Sequence, residues 1–368
     1  MLLGTPWLSF LFFFGIGLLL GNVLYRSDFC MAGILRDVFL FNDRALLRPL
    51  ALAVILTLFL FLLAQTGGLV PPPPPPTFGA ASLMGMLGGL LFGLGMVLAG
   101  GCVISTLYKM ASGNLAHSLA FFGIIAGSLV YAEMHAPVRE LARLTSLGLP
   151  TTLTGIWPAA GRTMAWGAAL AGLGSSLFWL RQGKLRVEAA AHGYLQPRRA
   201  AVILAVLNLA AYVASGWPIG LSTAYAKFGA MLETLLAPQH AAQLEYFRQP
   251  SLVAVIEGQA LTGGGGPQFD LIFFTETALL FGVLAGAFLT ALRLGEFRVY
   301  GLPPWRQGMA AFGGGMLIAL GARLANGCNI KHLLGGLPLL SIQAIVFVSG
   351  MLAGAWLGAR LLPRIILR

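Results

Sequence analysis

Apolar runs of about 20 residues recur along the chain, separated by shorter stretches that collect arginine, lysine, proline and glycine. A run of that length crosses a bilayer core of ~30 Å as a helix. Nine crossings are predicted, at about 4–25, 46–65, 82–101, 115–133, 159–180, 199–215, 271–292, 309–325 and 341–361. The first run lacks a basic leader and a small-residue cleavage site, so it reads as a retained span rather than a signal peptide. Two connections carry no readable chemistry. Pro71 to Pro76 is a run of prolines, stiff and unable to form helix, and GGGGP at 263–267 reads as a flexible spacer.

One pattern is written twice. Residues 88–102, GGLLFGLGMVLAGGC, and residues 314–328, GGMLIALGARLANGC, agree at nine of fifteen positions with an offset of 226. Both end on a cysteine, in a chain with three. Five predicted crossings separate Cys102 from Cys328, and an odd number sets the two copies in opposite orientations. Duplication with inverted topology is the architecture of many secondary transporters, whose substrate sites lie between the halves. A weaker echo pairs SDFCMAGILRDVFLF (27–41) with SGWPIGLSTAYAKFG (215–229), where Pro218 stands in place of the thiol. The expected repeats are about 26–135 and 215–361, within one polytopic domain spanning 1–368.

After Cys102 comes VISTLYKMASGN, and after Cys328 comes NIKHLLGGLP. Each is too short to span before Gly-Asn or Gly-Gly-Leu-Pro stops it. With 28–40 and 216–232 they read as four short re-entrant half-helices. Non-helical backbone at membrane depth survives only inside protein or along a water-filled cavity, and half-helix N-termini pointing inward favour anions. The expected fold is therefore an all-α integral membrane protein, an inverted-repeat bundle of about nine transmembrane helices plus four half-helices.

Composition agrees: 58% of residues are hydrophobic and 10% charged, against roughly 25% charged in a soluble domain. The 23 Lys+Arg against 12 Asp+Glu give a net charge of +11. In a membrane chain that excess belongs to cytoplasmic loops, and no basic stretch interleaved with aromatics suggests nucleic acid. Connections 26–48, 181–199 and 293–306 and the C-terminal end hold most of the arginines and lysines, so the N-terminus is expected outside and the C-terminus in the cytoplasm.

The three cysteines form no CxxC motif, and Cys30, Cys102 and Cys328 each adjoin a predicted break. A buried neutral thiol is a weak donor and a polarizable group. It can hydrogen-bond a soft sulfur anion without repelling it, which suits thiosulfate, sulfide or a selenium analogue better than sulfate. Arg323 lies inside the eighth predicted span, where the first copy has Val97. Such a charge faces a cavity or snorkels to the surface. Lys331 and His332, after Cys328, and Lys109, after Cys102, are candidates to guard an anion path. Asn326 and Asn329 flank Cys328, and Ser105 and Thr106 follow Cys102, as caps or polar ligands. Arg36 is expected to pair with an aspartate beside Cys30. Proton coupling would use Glu133, Glu257 or Glu276, and their spacing selects none.

No nucleophile–base pair, phosphate loop or metal-ligand cluster is present in the pattern, so neither an enzyme nor a cofactor is expected. Two other readings compete. A membrane sulfurtransferase would form a cysteine persulfide and needs a thiolate, for which the sequence offers only Arg323 and Lys331 nearby. Soft-metal transport fits thiols and methionines but conflicts with the cations beside Cys328.

RSDFCMAGILRD (26–37), AGGCVISTLYKMASGN (99–114) and GARLANGCNIKHLLGGLP (321–338) resemble the YeeE/YedE family of membrane proteins. The resemblance runs over essentially the whole chain. It implies uptake of thiosulfate across the bacterial inner membrane for sulfur assimilation. The family's three path cysteines match Cys30, Cys102 and Cys328, which would hand the ion along by S–H···S contacts without a large rocking motion. It further implies a small cytoplasmic sulfur carrier of the SirA/TusA type as partner. Some relatives handle selenium compounds instead, and the GCNIKH variant and Pro218 leave the two substrates open.

Overall fold

Pro6 and Pro197 stand at the first turns of two long helices, where a missing N–H costs nothing, and left-handed Asp28 and Gly216 end the same two helices. The computed structural model describes residues 5–70, 78–157, 159–189, 191–250, 252–256 and 259–366. In chain order the helices are α1 (Pro6–Ser27), α2 (Met31–Phe41), α3 (Leu47–Thr66), α4 (Leu83–Leu98), α5 (Val103–Ala111), α6 (Leu115–Leu144), α7 (Leu153–Ile156), α8 (Gly161–Arg181), α9 (Pro197–Ser215) and α10 (Ser222–Leu236). There follow α11 (Pro238–Ala241), α12 (Glu245–Arg248), a hairpin of β1 (Leu252–Ile256) and β2 (Gln259–Gly263), and a π-helical turn, π1 (Phe273–Thr277). Then come α13 (Ala278–Leu294), α14 (Trp305–Leu324), a second π turn, π2 (Lys331–Gly336), and α15 (Ile342–Ile366). The strands pair antiparallel, Leu252 opposite Gly263, and the other regular elements among the described residues are helical, as an all-α membrane protein should be.

Eight helical stretches among the described residues are long and apolar enough to cross a bilayer: Pro6–Phe41, Leu47–Thr66, Leu83–Ala111, Leu115–Leu144, Gly161–Arg181, Pro197–Ser215, Phe273–Leu294 and Ile342–Ile365. The remaining expected crossing, the eighth at 309–325, corresponds to α14, 20 residues long. Arg306, Gln307, Arg323 and five glycines dilute its apolar character. It stays at the centre of the molecule because α4 and α6 pack along it.

Small residues let these helices approach backbone to backbone, which is how helices associate where lipid removes the hydrophobic driving force. At the α4–α14 crossing, a Cβ on Gly88 would stand 2.7 Å from the Gly321 carbonyl oxygen, and one on Gly95 would stand 2.6 Å from that of Gly314. The early part of α4 therefore meets the late part of α14, so the two helices run antiparallel. Around this pair, α15 packs on α4 and α6 on α14, while α1 packs on α13 and α3 on α9.

The GGGGP stretch departs from its expectation as a flexible spacer. Gly263 to Gly266 are buried, and the fully buried Lys227 of α10 donates to the carbonyls of Gly266 (3.0 Å) and Gln268 (2.8 Å). Its Nζ also pairs with Asp270 at 2.8 Å, whose other oxygen accepts the Gly264 N–H at 2.8 Å. Gly265 is needed because the Tyr246 ring lies directly on it, and a side chain on Gly266 would meet the Phe247 carbonyl. Pro71 to Pro76 and Glu257 lie outside the described residues.

Candidate functional site

The helix breaks share one local design. Two residues before each cysteine the backbone turns left-handed: Asp28 (φ 44), Gly100 (φ 68) and Asn326 (φ 59). The fourth break has Gly216 (φ 83) two residues before Pro218. Only glycine, and less readily asparagine or aspartate, enters this region at low cost, so the sequence marks each stop. The N–H groups there close back onto the ending helix, Gly101 to Met96 at 3.0 Å and Gly327 to Ala322 at 2.8 Å, a common way to satisfy last-turn carbonyls.

The chain then restarts as a half-helix whose first free amides face the sulfur. Cys30 is the N-cap of α2, its Sγ accepting the Gly33 N–H at 3.3 Å. Cys102 is the N-cap of α5; its sulfur faces the Ile104 and Ser105 amides, and its own N–H donates to Ser105 Oγ at 2.5 Å. Cys328 starts the segment that becomes π2, its carbonyl accepting the His332 N–H at 3.0 Å. Its sulfur faces the amides of Ile330 and Lys331 and, from the start of α10, of Leu221. All three thiols are buried, unpaired and part of one core cluster.

Two tyrosines that the sequence reading passed over connect them. Tyr108 of α5 lies near both Cys30 and Cys102, its hydroxyl 3.4 Å from Asp28 Oδ1. Tyr225 of α10 lies near Cys102 and Cys328, its hydroxyl donating to the Val103 carbonyl at 2.7 Å. Cys102 is thus the thiol that has both tyrosines nearby. Asn329 reaches across to the segment of Cys30, its Nδ2 3.4 Å from Met31 Sδ. Its Oδ1, like Thr106 Oγ1, is buried without a partner among the described residues. Unpaired buried polar atoms mark places where water or an ion belongs. Asn208 of α9 was also missed. Its amide donates to the Leu334 carbonyl (2.5 Å) and accepts the Ile219 N–H (2.9 Å), tying two breaks together.

The remaining candidates are placed as follows. Lys109 folds back onto the Gly100 carbonyl at 3.2 Å, and Lys331 onto the equivalent Asn326 carbonyl at 3.0 Å, so each puts a cation at the turn preceding a thiol. The Asn326 side chain is exposed, and that residue serves its break through backbone conformation. Arg323 does not snorkel. It is buried, its Nη1 donating to Tyr246 Oη at 2.9 Å and lying 3.4 Å from Thr223 Oγ1, while Nε has no partner among the described residues. His332 stacks on Phe347, ring centroids 4.2 Å apart, with Nε2 3.1 Å from the Ala325 carbonyl. Arg36 pairs with Asp37 at 2.8 Å. Glu133 is half-exposed, 3.5 Å from His240. Glu276 is buried.

Long apolar helices enclosing non-helical backbone, with buried polar atoms and helix N-termini at the breaks, are the architecture of a multi-pass membrane transport protein. The chain belongs to the sulphur transport family, whose family model matches residues 26–357, in agreement with the YeeE/YedE resemblance. It is similar to the thiosulfate transporter TsuA of Spirochaeta thermophila, 28% identical over 361 residues that make up 93% of this chain and 97% of that one. The thiosulfate transporter TsuA of Escherichia coli is 26% identical over 363 residues, 92% of this chain and 91% of that one. The probable transporter YedE of Escherichia coli is 32% identical over 127 residues, 34% of this chain and 28% of that one. These relatives are transporters, and the family is one of transporters rather than enzymes.

Proposed function

We propose that the protein carries thiosulfate, or a closely related sulfur anion, into the cell across the bacterial inner membrane for sulfur assimilation. Cys328, Cys102 and Cys30 act as successive weak sites, each thiol donating S–H to the outer sulfur of the ion. One observation carries the reading: three buried thiols, each at the start of a half-helix, lie in one core cluster, with Tyr108 near Cys30 and Cys102 and Tyr225 near Cys102 and Cys328. The helix amides occupy the sulfur lone pairs, which leaves the S–H free to point at a guest. Weak sites in series suit conduction, because an ion held tightly does not leave. Thiosulfate is favoured by the two TsuA relatives that align over almost their full length.

The path lies between two inverted repeats, about 26–135 and 215–361. The α4–α14 crossing supports this. Gly88 and Gly95 are equivalent to Gly314 and Gly321 by the offset of 226, and Gly88 meets Gly321 while Gly95 meets Gly314. That reciprocal pattern is the mark of a two-fold axis, and antiparallel helices across it require opposed copies. A SirA/TusA-type carrier would collect the product at the cytoplasmic side, where Arg36 and the basic connections lie if the N-terminus is outside.

Uptake of radiolabelled thiosulfate into proteoliposomes, with sulfate, selenite and sulfide as competitors, tests the reading. Cys30→Ala, Cys102→Ala and Cys328→Ala each reduce uptake to the background of empty vesicles while the protein still elutes as a folded species. Wild-type uptake by all three single variants would remove the relay. Selenite outcompeting thiosulfate would reassign the substrate, and a +32 Da persulfide on any thiol after thiosulfate exposure would favour the sulfurtransferase.

A further inference from the structure

Three of the four half-helix starts carry a thiol, and the fourth, at α10, carries Pro218 upstream and no side-chain cap of its own. Its cap comes from another element. Glu276, buried in π1, accepts the Thr223 N–H on Oε2 at 2.8 Å. Its Oε1 stands beside Gly220, where an added Cβ would come within 2.9 Å. The Leu221 amide, two residues before Thr223, faces Cys328 Sγ. A carboxylate and a path thiol thus share one helix N-terminus, a position that attracts anions.

Among the described residues, the charged and titratable groups near Glu276 are Arg323 from α14, Lys331 from π2, Lys227 from α10 and the Cys328 thiol. Lys227 is matched by Asp270, and Lys331 also reaches the Asn326 carbonyl. Arg323 carries a second sign of a ligand. Its Nη1 reaches Thr223 Oγ1, the residue Glu276 caps, while its buried Nε has no partner among the described residues. Thr277, adjacent to Glu276, has a buried hydroxyl with no partner among them either. The π turn holding Glu276 is a geometry concentrated at functional sites.

Building on the transport reading, we propose that Glu276 is a tethered anion occupying the α10 N-terminus, which the transported anion displaces in order to reach or leave Cys328. Its charge sets how tightly the ion is held there. Without that competitor a dianion between Arg323, Lys331 and the α10 amides would bind too well to move on. Glu276 is then a specificity and release residue, and the carboxylate that spacing alone left unselected.

Glu276→Gln is the informative change, because the amide oxygen still accepts from Thr223 and a purely structural cap is preserved. In proteoliposomes it is expected to lower the half-saturating thiosulfate concentration by about tenfold, from loss of one nearby charge, and to lower maximal uptake as well. Half-saturation and maximal rate both at wild-type values would overturn the proposal. A second measurement does not depend on the substrate. Mass spectrometry follows modification of Cys328 by anionic 2-sulfonatoethyl methanethiosulfonate and by neutral methyl methanethiosulfonate. Glu276→Gln should raise the anionic-to-neutral rate ratio at least severalfold, as should Glu276→Met, the alternative if the first variant does not assemble. If wild-type vesicles take up no thiosulfate while this ratio rises, the substrate assignment fails and the role of Glu276 stands. An unchanged ratio, or no reaction of Cys328 with either reagent in any protein, would overturn it.

Discussion

A thiol that caps a half-helix differs chemically from one that fills a core. Its lone pairs already accept backbone amides, at 3.3 Å from Gly33 N in the case of Cys30. Its proton is then the part left for a guest, which is what a sulfur anion requires of a neutral host. The same scale shows which buried polar groups hold the path open. Asn208 satisfies an N–H at one break and a C=O at another, and each group left unpaired costs about 1–3 kcal/mol. Asn208→Leu is therefore expected to lower the melting temperature in detergent by several degrees and to reduce uptake, because both breaks lose their anchor. An unchanged melting curve would show that water replaces the amide. Such partners were illegible in the chain: Asn208 lies 126 residues from Leu334, and nothing local distinguishes it from a lipid-facing residue. The thiols and the breaks beside them were legible, because a stop is a local requirement; that each stop uses Gly, Asn or Asp at φ > 0 emerged in the structure.

At the level of elements, the bundle depends on helices that touch without side chains between them. Gly321 faces the Phe92 amide, which an added Cβ would approach to 2.6 Å, and the Gly88 carbonyl closer still. Backbone on both sides leaves nothing able to give way. Gly321→Val should cost about 1–3 kcal/mol or more as overpacking and lower the yield of folded protein. Gly313→Ala, on the same helix with nothing within 4 Å of the new methyl, should be neutral or slightly stabilising, since alanine outranks glycine in a helix by about 1 kcal/mol. Equal melting temperatures for the two variants would refute the crossing geometry. Helix α14, predicted as the crossing at 309–325, is less apolar than the other spans and packs against α4 and α6. One stretch reads differently in space than in sequence. The GGGGP stretch, which composition suggests is loose, is clamped by Lys227 and Asp270. A glycine run has the same composition whether it is flexible or pressed against a ring.

For the whole molecule, the exchange of partners reaches beyond the expected repeats. With α1 on α13 and α3 on α9, a two-fold axis that relates α4 to α14 would also relate α1 to α9 and α3 to α13. Both repeats would then start one helix earlier, leaving α8 outside them. The nine crossings expected from the sequence, with the arginine-rich connections inside, would put the termini on opposite sides. A green fluorescent protein fused after Arg368 should fluoresce, and alkaline phosphatase at the same point should be inactive. The opposite pair of results would invert the direction assigned to the path.

Length, run and punctuation were enough for the sequence to determine the spans, the breaks and the thiols at them, because each depends on residues close together in the chain. Only the tertiary structure decided that Glu276 faces the α10 N-terminus, that Tyr108 and Tyr225 each lie near two of the thiols, and that Arg323 turns inward to Tyr246. Those contacts join residues brought together by helix crossing, and crossing is governed by packing of small residues over hundreds of positions rather than by any local preference.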